Sequence, residues 1–245
     1  MSHRIVFPVV IAVACLANAR SAQAAPPDAG ADGGPCNVRV PVPPCAFRVS
    51  VVLMPPVPGS RRQIRVMMRE TDAIWRPYGV TLVWLGEGAG ESGVWPAALL
   101  RVQFAQGVRA TSRIGSPDAS RLGAIQFFDG VVPDDIILLS TDEIAATVMS
   151  SQLSERDLHE LPTGLVEDAT GRATGRVLAH ELGHYLLASR THARKGLMRR
   201  SFAGRQLVGW DRRAFTLDAA AVLRLRSRAA EPTAAAIGPR PNGGL

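Results

Sequence analysis

Apolar and polar residues alternate along residues 47–54, so that Phe47, Val49, Val51 and Leu53 share one face. A period of two predicts a β-strand, and Pro55, Pro56 and Pro58 end it. The period then lengthens. Ile64, Met67, Met68, Thr71, Ile74, Trp75 and Tyr78 recur at helical spacing, which predicts a helix whose apolar stripe faces a core. Ser60-Arg61-Arg62-Gln63 opens this helix as a capping box, and Pro77 and Gly79 close it. Residues 80–85 return to a strand, with Val80, Leu82 and Trp84 on one face. Residues 99–104 and 122–128 are further predicted strands. The continuous apolar run 136–139 suits a strand buried on both faces.

The second half of the chain reads as mainly helical. A short helix is expected from Thr141 or Asp142, and residues 150–168 are polar with no clear period; His159 lies there and reads as a surface residue. Thr170 and Thr174 are acceptable caps for the next helix. That helix carries Val177, Leu178, Leu182, Leu186 and Leu187 and should end near Ala188 or Ser189. A last helix is expected from Thr216, with Asp218 in its first turn, where the helix dipole favours negative charge. Residues 229–245 are Ala-, Pro- and Gly-rich and read as a disordered tail.

Composition changes the picture mainly at the N-terminus. The chain has 245 residues, 47% of them hydrophobic, enough for one globular domain with a substantial core. His3 and Arg4 precede an apolar run at residues 5–17, shorter than the roughly 20 residues of a membrane span. Ala22-Gln23-Ala24 follows as a cleavage site, so residues 1–24 read as a signal peptide and the mature chain as exported, periplasmic or extracellular. Lipid attachment at Cys15 is the alternative, with a poor lead-in at Ala12-Val13-Ala14. Residues 25–46 read as a leader or linker. Cleavage leaves Cys36 and Cys45, an even pair that reads as a disulfide in an exported chain. The alternative is a free thiol that caps a metal. Residues 47–228 remain as the folded domain.

The net charge of +7 comes almost wholly from arginine, Lys195 being the only lysine. The basic residues are scattered and not interleaved with aromatics, which argues against stacked bases and hence against nucleic acid. Residues 86–93 are glycine-rich but lack the following helix and lysine of a phosphate cradle, so they read as a turn. No stretch predicts stable membrane insertion, and a monomer is expected.

The chemistry concentrates at one place. The run His180-Glu181-Leu182-Gly183-His184 is a His-Glu-x-x-His pattern, and His192 follows shortly after. Residues four apart on a helix lie on one face. Two imidazoles so placed can bind one metal ion, with the intervening Glu beside it as a base. The apolar neighbours imply burial, and a buried histidine pair needs partners, which a metal supplies to both. A catalytic zinc usually takes a third protein ligand and a water. His192 is the leading candidate for that ligand; Asp211, Asp218 and His159 are the others. His192 is too far along for the same helical face, so the helix must end and the chain turn back across residues 188–191.

Residues 180–198 resemble the metzincin clan of zinc endopeptidases, which includes the matrixins and astacins. The resemblance rests on the His-Glu-x-x-His run, the third histidine and the later Gly196-Leu197-Met198. It implies that His180, His184 and His192 hold Zn2+, that Glu181 is the general base, and that Met198 lies in a methionine turn beneath the metal. It also implies an α+β fold: a mixed, mostly parallel twisted sheet with a backing helix, an active-site helix and a C-terminal helix. The expected activity is hydrolysis of a peptide or protein substrate. The substrate would pair with the strand at residues 122–128, and residues 199–210 would wall the pocket. Two departures stand out: Leu187 occupies the place of the clan's helix-ending glycine, and His192 arrives two residues late. An exported zinc-binding protein without catalysis and a zinc hydrolase of a non-peptide amide are the competing expectations.

Overall fold

The computed structural model describes residues 47–86, 99–106, 122–130, 132–153 and 155–230. The segments read from the sequence as signal peptide (residues 1–24), linker with Cys36 and Cys45 (residues 25–46), nearly all of the glycine-rich turn and the tail beyond residue 230 lie outside the described residues.

The predicted strands meet in one sheet. β1 (Arg48–Leu53), β2 (Thr81–Leu85), β3 (Leu99–Ala105), β4 (Gly123–Phe128) and β5 (Val132–Ser140) stand in the order β2-β1-β3-β5-β4. β1 runs parallel to β2 and β3, β3 runs parallel to β5, and β4 alone is antiparallel, on the outer side of β5. The result is a mixed α/β protein with a mostly parallel sheet, compatible with the α+β expectation. Inner strands are covered on both faces, so Val51 and Val52, adjacent in sequence, are both buried. β5 starts earlier than the apolar run 136–139 suggested. Pro133 and Asp134 look like turn residues, yet both belong to the strand and are buried, and Asp135 pairs with Arg101 at 2.7 Å.

Ser60 caps α1 (Arg61–Trp75), its side chain accepting from the Gln63 N–H. Gly79, in the left-handed region at φ 77°, closes the following 3-10 turn. Thr141 opens α2 (Thr141–Met149), as expected, and a two-stranded ribbon, β6 (Gln152–Leu153) with β7 (Arg156–Asp157), follows it.

The largest departure is α3 (Thr163–Leu187), which begins after Pro162 and not near Thr170 or Thr174. Both threonines lie inside the helix, their hydroxyls bonded back to the carbonyls of Val166 and Thr170 at 2.8 Å. A solvent-facing helix announces itself by a polar face. Most of α3 is buried from Ala169 onward, so it has little amphipathic signal. Its glycines instead mark the crossing with α1: a Cβ on Gly175 would stand 2.6 Å from the Met67 carbonyl oxygen and 2.9 Å from Glu70 Cβ. Gly175→Ala is therefore expected to lower stability by about 1–2 kcal/mol. The overpacking cost exceeds the roughly 1 kcal/mol gain in helix propensity. The urea midpoint reads this, and a variant as stable as the parent would show that the helices separate freely.

The α1–α3 seam is polar as well as tight. Thr71 Oγ1 bonds the carbonyl of Gly175 at 3.1 Å, and Trp75 Nε1 donates to the carbonyl of Ala179 at 3.1 Å. Glu70 bridges Arg176 at 2.7 Å and Arg212 at 2.8 Å. These bonds anchor α3 up to the residue before His180. α4 (Gly204–Val208) and α5 (Ala219–Ala230) close the domain. Asp218 precedes α5 rather than lying in its first turn, and its carboxylate caps the Ala221 N–H at 2.8 Å. Ala229 and Ala230, read from sequence as tail, are still helical. Arg228 of α5 donates to the carbonyls of Tyr185 and Leu186 at 2.9 and 2.8 Å, satisfying the open C-terminal end of α3. Among the described residues no helix is long and apolar enough to cross a membrane.

Candidate metal centre

His180 and His184 stand one turn apart on α3, only 4% and 6% exposed. Their outer ring nitrogens are both held by the backbone. His180 Nδ1 is 2.7 Å from the carbonyl oxygen of Leu197, and His184 Nδ1 is 2.6 Å from that of Ser189. A carbonyl only accepts, so each Nδ1 carries the proton and each Nε2 presents a lone pair. Those two Nε2 atoms are 3.1 Å apart. Two lone pairs at that distance repel unless a proton or a cation lies between them. A proton is disfavoured: burial pushes the His180 and His184 pKa values down to about 3 and about 4.

The chain reverses to deliver the third imidazole. Ala188 takes the left-handed conformation at φ 41° and ends the helix. The job of a helix-ending glycine thus falls to the residue after Leu187. Ser189 and Thr191 tie the loop through their hydroxyls at 2.7 Å. His192 then returns over the pair, its ring 5.3 Å from that of His180 and 4.9 Å from that of His184. One ligand atom from each of the three histidines lies within 4.8 Å of the others. A tetrahedral ion with bonds of about 2.0–2.1 Å needs its ligands about 3.3 Å apart, so the trio has the size and chemistry to hold one. The other third-ligand candidates are engaged elsewhere. Asp211 pairs with Arg213 and Asp218 caps α5. His159 is exposed, in a separate surface group with Asp157 and Glu160.

Glu181 is next to His180 and buried. Burial raises its carboxyl to about 8. Its side chain lies against Gly123, the first residue of β4, where an added Cβ would be 2.9 Å from Glu181 Cγ and 3.0 Å from Oε1. Only a glycine leaves room for that carboxyl beneath the edge strand. Gly183 plays a similar role below the pair: a Cβ there would collide with Met198 Sδ. The turn at Gly196, at φ 82°, therefore does two things. It presents the Leu197 carbonyl to His180 and packs Met198 under the helix. Phe202 adds an edge-on contact to His180, with ring centroids 5.9 Å apart. Arg200, from the same segment, lines a cavity beside His192, while Arg205, Gln206, Gly209 and Trp210 line a second cavity that contains none of the three histidines. Leu197 and Ser189 act through backbone carbonyls and Gly123 through a missing side chain, so no residue type marked them in the sequence.

Burial holds His192 below its ordinary pKa too, so the site resists proton competition. Three ordinary imidazoles of pKa about 6.5 would lose about a thousandfold in metal affinity between pH 7.5 and 5.5. Here the expected loss is under about tenfold, measured by competition with a chromophoric chelator. A full thousandfold loss would mean that the rings are accessible to solvent protons.

Fold and site together define a mixed α/β protein with a buried three-histidine group that could bind a metal ion. In comparisons with known proteins, no family model and no curated protein matches the chain.

Proposed function

We propose that this chain is an exported zinc-dependent endopeptidase of the metzincin kind. The observation that carries the reading is the convergence of the Nε2 lone pairs of His180 and His184, their tautomers held by Leu197 and Ser189, with His192 closing the group. Three protein ligands and an adjacent carboxylate suit a catalytic zinc, whereas a structural zinc usually has four protein ligands. When bound, zinc supplies a Lewis acid that polarises the scissile carbonyl and makes a water acidic enough to attack it.

The remaining steps belong to the chain. Glu181 accepts the proton of the attacking water and returns it to the leaving amine nitrogen. Its carboxyl is neutral near pH 7 without a cation, because burial penalises the charge. Beside a bound dication the Glu181 carboxyl would regain its charge and could serve as the base. β4 is the edge of the sheet, with its outer side unpaired among the described strands. An extended peptide added to that edge would pass above Glu181, at Gly123. The order of elements around the site, with α1 behind α3 and α5 after the Met198 turn, supports the clan reading.

Metal quantitation on the parent protein and His192→Ala, paired with a peptide-cleavage assay, tests the proposal. The parent should carry one zinc per chain and cleave peptides. His192→Ala should bind zinc more than about 100-fold more weakly, beyond the effect of losing an outer-shell partner. Unchanged affinity in the variant would remove His192 from the site. Stoichiometric zinc with no turnover on peptides would favour the non-catalytic reading.

A further inference from the structure

Beside the trio lies a cavity of about 710 Å³ whose walls are unusually one-sided in charge. Arg190, Arg194, Arg200 and Arg224 line it, together with His192, and no acidic residue among the described ones does. Elsewhere Arg62, Arg101, Arg176, Arg212 and Arg213 each pair with an acid, while others, such as Arg172 and Arg228, bond backbone carbonyls instead. Among the described residues no carboxylate pairs with Arg190, Arg194 or Arg224. Two of these three are partly positioned. Arg190 lies over the ring of Phe127 at 5.7 Å, and Arg224 donates to Ser189 Oγ at 3.4 Å. Gathering like charges in a concave wall costs stability through self-repulsion, and it focuses a positive potential that attracts anions.

The position of the cavity says what kind of anion. His192 belongs both to its wall and to the metal group, and Gly130, just past the end of the edge strand β4, also lines it. We propose that this cavity selects substrates bearing a carboxylate, held by the arginines, a few residues from the bond to be cut. The inference rests on the peptidase reading for the word substrate, but not for the cavity's charge preference. Guanidinium groups recognise carboxylates through paired N–H donors, so an Asp or Glu side chain of a peptide laid along β4 toward Gly130 is the occupant. A free C-terminal carboxylate offers the same chemistry and is distinguished by experiment.

The test measures binding first and cleavage second. Short peptides with blocked ends carry Glu or Gln at successive positions, and their affinity for the Glu181→Ala protein is read by fluorescence anisotropy, with and without zinc. At one position the Glu peptide should bind about tenfold more tightly than its Gln twin at low ionic strength, corresponding to about 1.4 kcal/mol, and the preference should shrink in high salt. Arg194, which has no polar partner among the described residues, is the cleanest probe. Arg194→Gln should abolish most of the preference and Arg194→Lys should keep part of it; Arg224→Gln is the second variant. Indistinguishable Glu and Gln affinities at every position would overturn the proposal. So would a preference that both glutamine variants leave intact. A gain seen only for a neutral peptide with a free C-terminus would transfer the site to the chain end and overturn the side-chain version. A Glu preference that depends on Arg194, with no peptide cleaved by the parent enzyme, would uphold the cavity while removing the peptidase reading.

Discussion

Glu181→Ala is expected to slow peptide hydrolysis by about 10²–10⁴-fold, the usual contribution of a positioned general acid–base, while the protein keeps its full zinc content. The two readouts separate because the metal group consists of imidazoles and Glu181 is not among them. The loss should appear in kcat, since the carboxylate acts on the proton of the attacking water and not on the peptide. Circular dichroism should show an intact fold, because the carboxyl lies against Gly123 and bridges no charged partner among the described residues. Activity within about tenfold of the parent would exclude Glu181 as the base. Loss of zinc in the variant would instead draw the carboxylate into the metal's own coordination.

Glu70→Ala is expected to be the most destabilising single change in the domain, by about 3–5 kcal/mol. Glu70 is 3% exposed and joins Arg176, which is fully buried, to the half-exposed Arg212. Arg176 also donates to the carbonyls of Gln206 and Leu207 and lies over the ring of Phe215. Removing the carboxylate leaves that guanidinium in the core without a counter-charge. Burial already pulls the Arg176 pKa below its ordinary value, with Glu70 opposing the shift. A lowered urea midpoint at unchanged slope checks the prediction. Replacing Glu70 and Arg176 together by apolar residues of similar size should recover much of the loss, as buried ion pairs generally allow. If Glu70→Ala costs under about 1 kcal/mol, water reaches Arg176 and the seam is softer than its burial indicates. Because Arg176 stands one turn before His180, the same variant should also weaken metal binding.

Much of this was legible along the chain, and the misses have common causes. β1, β2 and α1 announce themselves because one face of each is apolar at a distinct period, and Ser60 and Gly79 mark the ends of the first helical segment by local chemistry. The start of α3 was misplaced because a helix buried on nearly all sides has no polar stripe. The pairing of Glu70 with Arg176 was not legible, since nothing in either segment reveals that they meet. The site shows the same division. His180, Glu181 and His184 are visible because their spacing is local to one helix.

Local patterning alone determined that there is a mostly α/β body and that one helix carries a histidine pair with a carboxylate between them. Tertiary structure decided which residue completes the group, which carbonyls choose the tautomers, and that Gly123 and Gly183 must lack side chains. The physical reason is distance along the chain. Period and capping act within a turn or two, whereas the contacts of Leu197 with His180, of Gly123 with Glu181 and of Glu70 with Arg176 exist only once remote segments pack together.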